Sequence, residues 1–152
     1  MKSLPKLTSL LQKRINHSYT IIIKKQGTTK NGLEWSALSF NALVGWIGHE
    51  LGHVLHYSNK TSGGILITGV KYVFAPYRKK MEHFTDQLAI QHNLGMALYE
   101  GTDFTLNHSN ATEKYKEYLK KYYLLPIEIL RLNENKDATV VSFNKTKCVV
   151  SR

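Results

Sequence analysis

Phe40 to Ser58 reads FNALVGWIGHELGHVLHYS, and the rest of the chain is interpreted around it. Apolar residues recur at helical spacing from Phe40 to Ile47 and on through Val54, Leu55 and Tyr57. Asn41 is the expected N-cap, and turn formers over residues 58–64 end the pattern. Inside this helix stand His49, Glu50 and His53. Side chains four apart lie one above the other on the same helix face, so the two imidazoles converge on a single point. Glu50 is turned by about 100° from His49, which sets its carboxylate beside that point. Two converging imidazoles with a neighbouring carboxylate are the donor pair and the base of a catalytic zinc site.

Zinc held by three protein side chains keeps a fourth position for water, lowers the pKa of that water to about 7 and polarises a carbonyl. One Zn2+ per chain is therefore expected, with Glu50 as general base and acid. A third ligand has to come from elsewhere. His56 shares the face of His49 and His53 but lies about 10 Å from His49 along the axis, a poor reach for one tetrahedral ion, so it is read either as supporting a ligand from behind or as structural. Glu82 is the better candidate. In RKKMEHFTDQLA, residues 78–89, Glu82 and Asp86 are four apart, so one carboxylate can bind the metal while the other accepts the free N–H of a ligand histidine. This second helix is expected to start at Pro76 and continue through Ile90, Leu94 and Leu98, with Gly95 at a close contact and Gly101 at its stop.

His49-Glu50-x-x-His53 followed by Glu82-x-x-x-Asp86 resembles the gluzincin metallopeptidases, the group that includes thermolysin and the HtpX-like membrane proteases. Asp86 and Ala89 after Glu82 make the HtpX-like branch the nearest in pattern. The resemblance spans residues 35–101. It implies that His49, His53 and Glu82 bind zinc, that Glu50 moves the proton and that Asp86 orients a ligand histidine. Transmembrane helices of the HtpX-like enzymes have no counterpart here, because the apolar stretches at 40–47 and 65–75 are too short or too interrupted to span a bilayer. The large second domain of thermolysin-like enzymes is also missing. A second choice, the ImmA/IrrE-like class of small regulatory metallopeptidases, has comparable ligand spacing and a histidine at the position of His56, but Asp86 fits it less well. In the metzincin pattern a glycine and a third histidine would stand where this chain has His56 and Asn59.

At 152 residues the chain is long enough for one domain with its own core. Cys148 is the single cysteine, which excludes an internal disulfide and a cysteine-ligated zinc cluster. Charge and proline interrupt the N-terminal apolar run before it reaches signal-peptide length, so the expected localisation is cytoplasmic. The formal charge of +10 suits nucleic acid, an anionic membrane surface or an acidic protein as a partner. No nucleic-acid-binding motif accompanies it, and the plainer reading is a lysine-rich surface. Arg78-Lys79-Lys80 precedes Glu82 closely enough to line one end of a cleft.

Outside the motif region, residues 4–15 read as an amphipathic helix and 19–24 as a strand, followed by a turn over 26–32. Residues 33–40 read as a second strand whose free edge would pair with an extended peptide. Trp35 and Phe40 are expected in the core. Residues 65–75 read as a helix and 112–125 as a tyrosine-rich amphipathic one. A short helix follows at 126–130, and a tail over 137–152 has strand-like Val140 to Phe143. An oxyanion stabiliser is required but not singled out among His83, His92, His108, Tyr72, Tyr77 and Tyr99; His92, nearly three turns beyond Glu82, stands first among them.

The expected fold is therefore α+β: a small, helix-rich zincin-like domain with a short sheet beside the active-site helix. The expected function is a zinc metallopeptidase acting on a peptide or protein substrate. The alternative is a regulatory or binding module with a structural zinc and a basic partner-binding surface.

Overall fold

The computed structural model describes the backbone of residues 1–23 and 31–147, and the side chains of those residues as far as 136. Most of the turn over 26–32, and Cys148, lie outside these residues. The architecture is helical with one small sheet. Strand β1 (Lys2–Pro5) pairs antiparallel with β2 (Tyr19–Ile22), with Lys2 opposite Ile22 and Pro5 opposite Tyr19. The helices are α1 (Phe40–Ser58), α2 (Ser62–Lys71), α3 (Ala75–Ala89), α4 (Gly95–Asp103), α5 (Glu113–Tyr122) and α6 (Pro126–Lys147). Helix α1 is central: α3, α4 and β1 all pack on it, α6 covers α4, and α5 packs on α3.

Three glycines explain how closely α1 is approached. A Cβ on Gly45 would stand 2.2 Å from the Ala97 carbonyl oxygen, one on Gly48 would stand 2.5 Å from the Leu94 side chain, and one on Gly52 would stand 3.1 Å from the Thr85 carbonyl oxygen. Their 3- and 4-residue spacing puts them on one face, so α3 and α4 reach the α1 backbone itself. Around this contact lie two apolar clusters. One joins Ala89, Ile90 and Leu98 to Leu124 and Ile129, and the other joins Trp46 to Leu106 and Leu119, with Trp35 and Tyr123 packed against it.

Several elements differ from the sequence expectation. Residues 4–15 are a strand followed by two short 3-10 turns (Leu7–Leu11 and Arg14–Asn16), not an amphipathic helix. Pro5 disfavours helical backbone at Leu4, and of the supposed apolar face only Leu10 is buried, while Leu7, Leu11 and Ile15 are exposed. Residues 33–40 contain a 3-10 turn (Trp35–Ala37) in place of a second strand, so the proposed substrate-pairing edge is not there. Leu33 and Leu38 face inward while Ser39 is committed to α1: its side chain accepts from the Ala42 N–H at 3.0 Å, making Ser39 the N-cap. Asn41 instead donates to Glu100, and Phe40 is exposed.

The expected continuous helix from Pro76 to Leu98 is broken. Residues Ile90–Leu94 form a π-like turn in which Asn93 takes a left-handed conformation with φ 65°. Asparagine tolerates this backbone better than most residues. Lys136 from α6 donates to the Ile90 carbonyl at 3.0 Å and to the Asn93 side chain, holding the break. Gly95 does lie at a close contact, with Asn133, whereas Gly101 is no stop: it sits within α4 under Trp46. Helix α6 continues well past Leu130 and takes in Val140 to Phe143, which are helical rather than strand-like.

Candidate metal centre

Helices α1 and α3 bring His49, His53, Glu82 and Asp86 together at their crossing. His49 Nε2 lies 3.0 Å and His53 Nε2 3.2 Å from the same atom, Glu82 Oε2. Donors bound tetrahedrally at 2.0–2.1 Å from one ion are separated by about 3.3 Å, so these three side chains are close enough together to hold a single metal ion. The side chains are deeply placed, with Glu82 0% and His49 1% exposed. His49 Nε2 is buried and, despite its distance from Glu82, makes no hydrogen bond. Such an arrangement, two imidazole nitrogens crowded on one carboxylate oxygen with only His53 in hydrogen-bond geometry to it, fits donors directed at a common point.

The outer contacts are ordered. Asp86 Oδ1 is 2.7 Å from His49 Nδ1, and Asp86 Oδ2 accepts from the Leu124 N–H at 2.9 Å. The aspartate thereby fixes the tautomer that leaves His49 Nε2 facing Glu82. Tyr72, at the end of α2, donates its hydroxyl to Glu82 Oε1, which leaves Oε2 toward both imidazoles. Thr85 donates to the Glu82 carbonyl at 2.8 Å and packs beneath Gly52.

Charge in this pocket is strongly coupled. Burial alone would lower the His49 pKa, but Asp86 and Glu82 outweigh it and raise it to about 10. Burial pushes the Glu82 carboxyl up, yet the two imidazoles overcome this and hold it far below the usual carboxylate range. Tyr72 is raised by burial and then by the Glu82 charge, so its phenol stays protonated and remains a donor. Glu50 is also buried, beside His49 in sequence and outside the hydrogen bonds that fix Glu82 and Asp86. Its charge reaches Tyr57, whose pKa is pushed up to about 12 by burial, Glu82 and Glu50.

Of the remaining named residues, His56 packs edge-on against Phe84 with ring centroids 5.2 Å apart, and it is not in the convergent group formed by His49, His53 and Glu82. His92 lies exposed in the break between α3 and α4, and His108 faces Asp103. Tyr99 packs against the Ala89 and Ile129 cluster. Tyr72 is the member of the oxyanion candidates that contacts a site carboxylate. Arg78 sits between Tyr72 and Tyr122, 5.2 and 5.1 Å from the ring centroids, and donates to the Tyr72 carbonyl.

Sequence reasoning passed over Tyr57 and Tyr123. Tyr57 stacks on His53 with centroids 6.2 Å apart, and its place one turn after His53 was a usable signal. Tyr123, 5.1 Å from the His49 ring, comes from a distant segment and carried no such signal. Comparison with protein-family models, with curated proteins and with solved structures finds no match to this chain.

Proposed function

We propose that this protein is a zinc-dependent peptidase that resembles the gluzincins in its ligand pattern. His49, His53 and Glu82 would hold the metal. When bound, zinc would polarise a peptide carbonyl and make an attacking water acidic enough to ionise near neutral pH. Glu50 would take the proton from that water as its oxygen adds to the carbonyl carbon, then deliver it to the amine nitrogen as the C–N bond breaks. Asp86 would keep the His49 tautomer fixed throughout, and Tyr72 would hold Glu82 with one oxygen turned inward. The observation that carries this reading is the shared approach of both imidazole Nε2 atoms to Glu82 Oε2, with Asp86 behind His49.

The test is metal content per chain for wild type, His53→Ala and Glu82→Ala, together with peptide-library cleavage by wild type and Glu50→Gln. One zinc lost in both ligand variants, with cleavage lost in a Glu50→Gln protein that keeps its metal, is the expected result. Cleavage that survives Glu50→Gln with zinc retained would sink the mechanism.

One observation favours a second reading, in which zinc serves stability and the surface engages a partner. All four of His49, Glu50, His53 and Glu82 are buried, a depth common to structural metal sites. On that reading metal removal unfolds the chain, and no peptide is cleaved.

A further inference from the structure

Helix α2 is mounted with its apolar side outward. Ile65 and Thr68 face the protein and are buried, while Leu66, Ile67 and Val70 face away. Val73 and Phe74 continue the apolar run in the turn that leads to α3. These five side chains are between 56% and 74% exposed. At the other end of α2, the Ser62 hydroxyl donates to the Leu10 carbonyl at 2.6 Å, which brings up the 3-10 turn bearing exposed Leu7 and Leu11. Exposed apolar side chains therefore also stand near the start of α2. A run of exposed apolar side chains along one helix face and the turn after it marks an interaction site more often than a chance exposure.

Its charge surroundings are one-sided. No Asp or Glu occurs in residues 1–33 or 51–81, which carry seven and five Lys or Arg residues respectively. Lys71, Lys79 and Lys80 are exposed close to the apolar turn in sequence, and Lys60 lies just before α2. Aliphatic and aromatic side chains flanked by uncompensated bases have the chemistry of an interfacial helix on anionic lipid.

We propose that the outward face of α2 and the turn after it dock this protein on an anionic lipid bilayer. No described helix is long and apolar enough to cross a membrane. Helix α2 has 10 residues and a length of about 15 Å, half the hydrocarbon thickness of about 30 Å, so it lies along the interface. Leu66, Ile67, Val70 and Phe74 enter the headgroup and acyl boundary, and the lysines meet lipid phosphates and carboxylates. Other occupants fit less well. A second copy would bring the same positive rim against itself, and nucleic acid would leave the aliphatic side chains in water. The proposal is independent of the chemistry at the metal centre.

Flotation of the full chain with phosphatidylcholine vesicles, with and without phosphatidylserine, tests it. The variants are Ile67→Ser/Val70→Ser/Phe74→Ser and Lys71→Gln/Lys79→Gln/Lys80→Gln, each checked for fold by its circular dichroism melt. Wild type is expected to float with the phosphatidylserine vesicles and to release as salt rises. The serine variant should partition at least about tenfold more weakly, and the glutamine variant should lose the preference for phosphatidylserine. Wild type that ignores both vesicles overturns the proposal, as does a folded serine variant that floats equally well. A wild-type dimer in sedimentation equilibrium that the serine substitutions dissolve would assign the face to a second copy instead.

Discussion

Asp86 holds His49 with one carboxylate oxygen and the Leu124 backbone N–H with the other, at 2.7 and 2.9 Å. The two bonds tie the His49 imidazole, a candidate metal ligand, to the chain between α5 and α6. An amide in place of the carboxylate can accept on only one side. Asp86→Asn is therefore expected to weaken zinc binding by about 10- to 100-fold and to cost roughly 1–3 kcal/mol of stability. Chelator competition and urea unfolding measure the two effects, and wild-type values in both would show that Asp86 positions nothing.

Tyr72 is the hydroxyl donor to Glu82 Oε1. Removing it in Tyr72→Phe leaves a buried carboxylate short of a donor, which should cost the metal-free protein about 1–3 kcal/mol. Zinc would recover part of that loss by engaging Glu82 directly. Melting with and without zinc checks this: the gap between variant and wild type should narrow when the metal is present.

The glycines of α1 should respond unequally to alanine. At Gly45 the added Cβ would meet the Ala97 carbonyl at 2.2 Å, and backbone must move. Even after the gain in helix propensity of about 1 kcal/mol, Gly45→Ala should destabilise by roughly 1–3 kcal/mol. Gly52→Ala needs a shift of only a few tenths of an ångström, but against Thr85, three residues from Glu82. It should keep most of its stability while losing zinc affinity, a pattern that urea unfolding and metal titration would separate.

His56 supplies a pH dependence. Burial, then Lys60 and His53, lowers its pKa from the ordinary 6.5 to about 4. Because the folded value lies below the unfolded one, the neutral ring's contribution is present above about pH 6.5 and is lost as pH falls through about 4. His56→Gln should flatten the fall in melting temperature across that window. Parallel melting curves for the two proteins would remove His56 from the acid response.

The site was legible wherever it depended on helical periodicity. His49 with His53, and Glu82 with Asp86, are pairs four apart whose convergence needs only two helices to cross, and Pro76 marked the start of the second. What the pattern could not supply was the partner of each helix face. Residues 4–15 have helical spacing in an exposed segment, and 33–40 alternate without a strand to join. Asn93 showed no turn signature of its own; its left-handed backbone is held by Lys136, more than 40 residues later. The stripe of Gly45, Gly48 and Gly52 was present in the sequence as a sign of close helix approach.

That left-handed residue changes how the helices are indexed against one another. Going forward along α1, Gly45 and Gly48 meet Ala97 and Leu94, three steps against three, while His49 and His53 meet Asp86 and Glu82, four against four. Between these two matched runs α1 advances one residue, from 48 to 49, whereas the facing chain moves back eight, from 94 to 86. The seven extra residues amount to about two helical turns, roughly 10 Å of rise in a straight helix. The break at Asn93 takes up this slippage, so α3 sets the phase of its carboxylates against His49 and His53 while the chain beyond the break is seated on Gly45 and Gly48.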